Sequence, residues 1–355
     1  SVATVYELED LLAESLASPG SRFEFLDILS DLCPIGDRIE ELLSLHPVEL
    51  AKLVIEGLPA SPSSLAGIVA PRSFSLRPLP NAYFMRDTAA IFRDYAISSA
   101  MAHEVRLIES VITRFIFTRH QELRSRGLLL DGPRDKNRFV RLEGGDIIVV
   151  SRNCLVIGIS ERTSAEAIEY LAYTAARALD EPLALFLVVL PKERATIHLD
   201  MVFTVIDRGR VLVHGPSIMG SARCPVFRVD ISPGGKHRVR EVDGLLLALS
   251  ELGHHFEPVY CGGGDPLYEE REQWLSGANS FAFAPGKIVM YSCNLRTLEA
   301  LDKDGFAIRQ AGDFLEGDAR VEDFEKLVVA FEGIELARGG GGARCMTLPV
   351  ERLEL

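Results

Sequence analysis

Residues 338–349 read RGGGGARCMTLP, four glycines followed by Arg344 and Cys345. A thiolate is a strong nucleophile, and a glycine run has the backbone freedom to bring one against a substrate. Alone, Cys345 reads as an inert buried thiol, because free cysteine behaves as a small hydrophobe. Cys33, Cys154, Cys224, Cys261 and Cys293 keep that reading. A thiol nucleophile needs an acid/base partner. The stretch ATIHLDMVF holds His198 and Asp200 two residues apart in an apolar run. On a strand, period two places both on one face. Such a half-buried pair needs partners, since buried charge is costly unless paired. The stretch RLEGGDIIVV sets Glu143 and Asp146 around two glycines at the mouth of a strand, and NAYFMRD holds Asn81, Phe84, Arg86 and Asp87. Taken singly, NAYFMRD reads as a loop with an edge aromatic, and RLEGGDIIVV reads at least as well as a polar turn, although its two glycines allow close backbone approach or a positive φ. His46, His103, His120, His214, His237, His254 and His255 have no comparable carboxylate pattern and read as surface or core histidines.

The elements that must position these residues fall into two regions. Residues 7–60 are expected to be helical: Leu8, Leu11, Leu12 and Leu16 mark one helical face, and Phe25, Ile28, Leu29 and Leu32 another. Pro47 suits a first helical turn and Gly57 a helix end, with breaks at Pro19-Gly20 and Cys33-Pro34. LPASPSSLAGIVAP (58–71) closes this small bundle. From residue 76, short apolar strands alternate with single helices. Strand pairs are expected over 146–160, 198–214 and 280–292, helices over 164–179, 242–253 and 295–305, and single strands over 184–190 and 256–261. A strand–strand–helix–strand unit therefore recurs roughly every 60 residues, which argues for a repeat architecture closed around a central site. Cys, His, Glu and Asp then stand at strand ends or loops of different repeats, where such a site would collect them.

Composition narrows the rest. The 355 residues are 47% hydrophobic and 25% charged, ample for a large core. A net charge of −13 speaks against a nucleic-acid or acidic-membrane partner and suits a small cationic substrate. No apolar run approaches the roughly 18–20 residues of a membrane span. Six scattered cysteines without a CxxC pair suggest a reduced, intracellular setting, with neither a zinc site nor a disulfide framework. The first residue is Ser1 rather than Met, which suggests that something upstream was removed.

With these stretches in view, the sequence resembles the arginine deiminases, guanidine-modifying enzymes of the pentein superfamily. The likeness is carried by PLPNAYFMRD, RLIE, EGGDIIVVSRNCLVIGISERTS, HLDMVFTVID, REQWLSGANSFAFAPG and RCMTLPVER, in family order from Thr4 onward. It implies a five-bladed pseudo-symmetric α/β propeller (residues 76–355) with an inserted helical bundle (7–75). It also implies that residues 1–6 are a remnant strand of an incomplete first blade, whose opening strands precede this stretch in relatives. By the same resemblance Cys345 would be the nucleophile and His198 the acid/base with Glu143 as its partner. Asp87 and Asp200 would grip a guanidinium. Arg106 and Arg162 would hold an α-carboxylate, with Asn81 and Phe84 lining the pocket and Asp146 supporting the local turn. Arg106-x-x-Glu109 also reads as a simple helix ion pair. Some relatives place a substrate-binding arginine five residues before the cysteine, where Gly340 stands here; Arg338 lies two residues earlier. The implied partner is L-arginine, with no metal or cofactor, in the cytoplasm, and a homo-oligomer is allowed. The alternatives are an arginine dihydrolase or amidinotransferase of the same superfamily, or a noncatalytic arginine-binding paralogue.

Overall fold

The computed structural model describes residues 3–134 and 139–352, apart from the Lys236 side chain. Residues 3–7 carry no strand, and residues 1 and 2 of the expected remnant lie outside the described residues. Four helices follow: α1 (Leu8–Ser15), α2 (Pro19–Leu32), α3 (Ile39–Ser44) and α4 (Pro47–Glu56). Proline opens α2 and α4, where its missing N–H costs nothing, and Ser18 Oγ accepts the Ser21 N–H at 3.0 Å. Helix α4 ends at Gly57, whose φ of +93° an L side chain would resist. Strands β1 (Leu58–Pro59) and β2 (Phe74–Leu76) then pair across α5 (Leu65–Val69).

The body is built from a repeated unit: an antiparallel hairpin, a helix, and a third strand returning parallel to the second. The first comprises β3 (Ala89–Phe92), β4 (Tyr95–Ser98), α6 (Leu107–Arg119) and β5 (Gly127–Asp131). The second comprises β6 (Ile147–Ser151), β7 (Cys154–Ile159), α7 (Ala165–Ala178) and β8 (Leu183–Val189). The third begins with β9 (Phe203–Asp207) and β10 (Arg210–Val213). After α8 (Gly215–Ile218) comes a hairpin the sequence reading did not foresee, β11 (Val226–Ser232) and β12 (Lys236–Val242), which leaves the unit and extends the second sheet through β8. The unit resumes with α9 (Leu245–Ser250) and β13 (Glu257–Tyr260). After α10 (Pro266–Trp274) the fourth unit runs β14 (Phe281–Ala284), β15 (Lys287–Tyr291), α11 (Leu295–Lys303), β16 (Ala307–Gln310), α12 (Ala311–Leu315) and β17 (Leu327–Phe331), with β16 added on the outer side of β17. Helix α13 (Ile334–Ala337) leads into the glycine run.

This is a mixed α/β fold in which the first strands of the second, third and fourth units are neighbours, β9 lying beside β6 and β14. Ile168, Leu171 and Ala175 of α7 are buried in one core with Leu155, Ile157, Leu185 and Leu187 of the second sheet. Each fully buried leucine or isoleucine in such a core is worth about 2 kcal/mol relative to exposure. The helical bundle shares its core with the body: Leu12, Phe25, Leu29 and Leu50 are buried with Ile112 and Phe115 of α6. Among the described residues no helix is long and apolar enough to cross a membrane.

One expectation is corrected here. His198 and Asp200 do not lie on a strand; β9 begins only at Phe203, and Leu199–Met201 form a 3-10 turn. The Leu199 N–H, which a ladder would have used, donates instead to Asp146 Oδ1 at 2.8 Å. The turn is closed by Met201 and Val202 N–H groups donating back to His198 and Leu199 carbonyls.

Candidate active site

Three 3-10 turns, each just ahead of a unit's first strand, pack in series: Met85–Thr88 before β3 against Gly144–Asp146 before β6, and that turn against Leu199–Met201 before β9. They bring Asp87, Glu143, Asp146, His198 and Asp200 together from three units. The loop after α13 adds Cys345.

His198 stands between two carboxylates. Its Nε2 shares a 2.8 Å hydrogen bond with Glu143 Oε2, and its Nδ1 lies 3.5 Å from Asp87 Oδ1. Glu143 is fully buried and its Oε1 accepts the Ala102 N–H at 2.9 Å. Burial opposes charge on the imidazole, but Asp87, Glu143 and Asp146 together outweigh it and lift the His198 pKa to about 10. Burial also opposes charge on Glu143, yet the His198 bond, Arg162 and the Ala102 amide hold it below the usual carboxylate range. His198 is therefore an imidazolium at neutral pH. Gly145 makes this approach sterically feasible: a Cβ there would lie 2.7 Å from His198 Nδ1 and 2.8 Å from Asp87 Oδ1.

Cys345 Sγ lies 3.9 Å from Asp200 Oδ2. Burial, then Asp200 and Asp87, push the thiol well above its ordinary pKa, so it is protonated in the unliganded site. Burial also raises Asp200, against the pull of Arg344, whose Nε is 3.4 Å from Oδ2. Asp87 Oδ1 and Asp200 Oδ1 are both buried and accept no hydrogen bond. Buried carboxylate oxygens without donors are costly, and a planar group rich in N–H would satisfy them.

The remaining expected residues divide. Asp146 is spent on structure: Oδ2 accepts from Ser160 Oγ at 2.7 Å and Oδ1 from the Leu199 amide, and burial lifts it to about 7. It holds the His198–Asp200 turn from behind. Arg106 does not stand free as a carboxylate grip. Its Nη1 donates to Asp87 Oδ2 at 2.6 Å, Nε to Glu109 Oε2 at 2.8 Å and Nη2 to the Phe84 carbonyl at 3.0 Å. A guanidinium this deeply buried needs carboxylate partners, and here they are internal. The Asn81 N–H donates to Glu109 at 3.2 Å, so Asn81 is anchored to the same cluster. Arg162 is partly exposed; its Nη1 lies 3.5 Å from Glu143, and its Nε has no hydrogen-bond partner. Phe84 is buried against the glycine run, where a Cβ on Gly341 would meet its ring at 2.7 Å. Gly340 adopts φ +90°. The run is thus packed rather than hinge-like: its glycines leave room for neighbours.

Asp87, Glu143 and His198 could each offer one metal-ligand atom within a 4.8 Å cluster. The His198–Glu143 hydrogen bond uses two of the three side chains to share a proton instead.

Residues 48–352 match the family model described as arginine deiminase. The arginine deiminase of Lactococcus lactis subsp. cremoris (strain MG1363) is 32% identical over 98% of this chain and 79% of its own length. The chain belongs to the arginine deiminase family. The arginine deiminase of Limosilactobacillus reuteri (strain DSM 20016) is 31% identical over 99% of this chain and 84% of its own length. Among solved structures, ArgZ, an arginine dihydrolase of cyanobacteria, aligns at 15% identity and a TM-score of 0.49, over 78% of this chain and 33% of its own.

For this arginine deiminase family member, sequence reasoning gave no role to Arg86, Asn279 or Arg344. Arg344 precedes Cys345, and its Nη2 also donates to the Ile147 carbonyl at 3.1 Å. Arg86 donates through its backbone N–H to the Cys345 carbonyl at 3.0 Å and through Nε to the Arg344 carbonyl at 3.2 Å. One signal could have found Asn279: like Asp87, Asp146 and Asp200, it is a polar residue within three positions of a unit's first strand.

Proposed function

We propose that this chain hydrolyses L-arginine to L-citrulline and ammonia through a covalent intermediate on Cys345. The observation that carries the reading is the pair of buried, donor-less oxygens, Asp87 Oδ1 and Asp200 Oδ1, beside a thiol 3.9 Å from Asp200. A guanidinium has a pKa above about 12 and arrives as a planar cation with N–H groups in a fixed fork. Asp87 and Asp200 accept those donors and orient the plane.

The arriving cation offsets the two carboxylates that hold the thiol proton, and Cys345 ionises, releasing its proton to solvent. The thiolate attacks the guanidinium carbon and forms a C–S bond. His198, an imidazolium, protonates one terminal nitrogen of the tetrahedral adduct, and ammonia leaves as the C–N bond breaks. The resulting thiouronium is attacked by water, whose proton passes to the now neutral His198. As the second adduct collapses, its hydroxyl proton passes to the departing sulfur, the C–S bond breaks, and citrulline leaves with Cys345 restored as the thiol. Glu143 keeps the imidazole oriented and charged. Arg162, with its unpartnered Nε, takes the α-carboxylate, while Asn81, Phe84 and Gly340 shape the pocket. Arg106 holds Asp87 in place.

The same reading takes the four units as blades of a five-bladed pseudo-symmetric propeller, residues 7–75 as its inserted bundle and 76–355 as the catalytic body. A cytoplasmic setting fits the free cysteines. The test is mass spectrometry of products from arginine, agmatine and methylated arginine side by side. Citrulline and ammonia are expected from arginine and abolished in Cys345→Ser. Ornithine from arginine alone, or undiminished citrulline from Cys345→Ser, overturns the reading.

A further inference from the structure

We infer that Asn279 is the positioning residue that sets the nucleophile against the guanidinium-gripping carboxylate. The inference rests on the proposed deiminase reading for its activity test, but its geometry stands on its own. Asn279 is fully buried between two functional segments distant in sequence. Its Nδ2 donates to the Asp200 carbonyl at 3.1 Å, and its Oδ1 accepts the Cys345 N–H at 3.1 Å. Its own carbonyl accepts the Arg344 N–H at 3.3 Å. One amide thus ties the turn bearing Asp200 to the loop bearing Cys345.

Asn279 is itself fixed. Thr204 of β9 donates to the Ala278 carbonyl at 2.8 Å, Gly277 N–H donates to Glu272, and Asn279 N–H to Ser276. The glycine run is built around it: a Cβ on Gly342 would lie 2.7 Å from Asn279 Oδ1 and 2.8 Å from its carbonyl oxygen. Asn279 also stands two residues ahead of β14, the place in the fourth unit that Asp87 holds ahead of β3. Three units supply charged groups from that place; the fourth supplies the amide that holds two of the segments in register. An asparagine suits this task because it offers a donor to a carbonyl and an acceptor to an N–H without adding charge beside the thiol.

The test uses the full chain with Asn279→Ala, Asn279→Asp and Gly342→Ala. Arginine turnover and, separately, the pH profile of Cys345 alkylation by iodoacetamide are measured on each, with protein concentrations corrected for the folded fraction. Because a misplacement of about 1 Å costs about 10²-fold in rate, Asn279→Ala is expected to lower kcat about 100-fold with KM within threefold. Asn279→Asp keeps the acceptor for Cys345 but sets a negative charge beside the thiol, so its alkylation midpoint moves up in pH. Gly342→Ala reproduces the kcat loss by pushing the same contact apart. An alkylation profile identical in wild type and all three variants, or a kcat unchanged per folded molecule, overturns the inference. If wild type makes no citrulline while the Asn279→Asp profile still moves up, the positioning role stands and the substrate reading falls.

Discussion

Gly145→Ala is the sharpest single probe of how the site is assembled. Gly145 lies within the 3-10 turn ahead of β6, and its backbone is one that alanine can adopt, so the perturbation is steric. The new methyl would lie 2.7 Å from His198 Nδ1, where ordinary contact begins at 3.4 Å, so it arrives about 0.7 Å too close. Asp87 Oδ1 is crowded from the same atom at 2.8 Å. Neither side chain has room to retreat. His198 is backed by Glu143 at 2.8 Å, and Asp87 by Arg106 at 2.6 Å. The strain therefore opens the gap between acid/base and substrate grip. Overpacking of this kind costs about 1–3 kcal/mol of stability. A displacement of this size costs between about tenfold and 100-fold in kcat, or about 1.4–2.7 kcal/mol in the barrier. Because Asp87 Oδ1 is one of the oxygens offered to the guanidinium, KM for arginine should rise several-fold as well. Citrulline release measured over a range of arginine concentrations, with melting curves on the same preparations, reads all three. A variant that melts a few degrees lower but turns over within threefold of wild type would refute the reasoning, since the clash would then have relaxed away from the site.

Three further outcomes are expected. Asp200→Asn removes a carboxylate that raises the Cys345 thiol, so the pH midpoint of iodoacetamide alkylation in the unliganded protein should fall; an unchanged or higher midpoint would contradict the assigned cause. Arg106→Met should lower activity on arginine and on agmatine by the same factor, because Arg106 acts through Asp87; a loss confined to arginine would instead make it a carboxylate grip. Asp146 is raised from 3.8 to about 7, so the folded protein keeps a proton that the unfolded chain releases across that window. The stability this contributes is complete below 3.8 and lost as pH rises through about 7, so the melting temperature of Asp146→Asn relative to wild type should rise across the window. A constant difference from acid to neutral pH would refute it.

Much of this was legible in the sequence because it rests on local periodicity. The strand pairs over 146–160 and 280–292 and helix α7 lie where the apolar patterns put them, with turns at Arg152-Asn153 and Pro285-Gly286. The His198–Asp200 segment was misread because an apolar run of that length looks like a strand from within. What makes it a turn is Asp146, 53 residues away, accepting the Leu199 N–H. The β11–β12 hairpin escaped notice because its strands carry Arg228, Asp230, Arg238 and Arg240, and charge masks the alternation of an edge. Arg106 shows the limit most clearly. Its i,i+3 spacing to Glu109 is visible in the chain, but its tie to Asp87 spans 19 residues and exists only once α6 packs under the first turn. The glycine run invited an argument from flexibility, whereas Gly341 and Gly342 are required by the Phe84 ring and the Asn279 amide, neither of them a local neighbour.

The charge balance of the unliganded site works against its own nucleophile, and that has a consequence for direction. Burial and two carboxylates keep Cys345 protonated, while three carboxylates leave His198 charged against the opposition of burial. The site is thus poised as acid and thiol, and under the proposed function a cation bridging Asp87 and Asp200 turns the thiol into a nucleophile. Arginine brings that cation. A neutral ureido group keeps the planar N–H donors but brings no charge to offset the carboxylates, so citrulline restores the field that protonates Cys345. Under that proposal the nucleophile is ionised when substrate is bound and quenched when product is bound. A neutral product gains little from two carboxylates and leaves them to the next cation. Thiol ionisation and product discrimination then arise from the same two buried oxygens. An Asp87→Asn or Asp200→Asn variant should lose the cation's control over ionisation and the discrimination together: turnover falls, and citrulline competes better relative to arginine. Product inhibition measured against arginine KM reads this ratio, and a ratio unchanged in both variants would separate the two roles that the geometry joins.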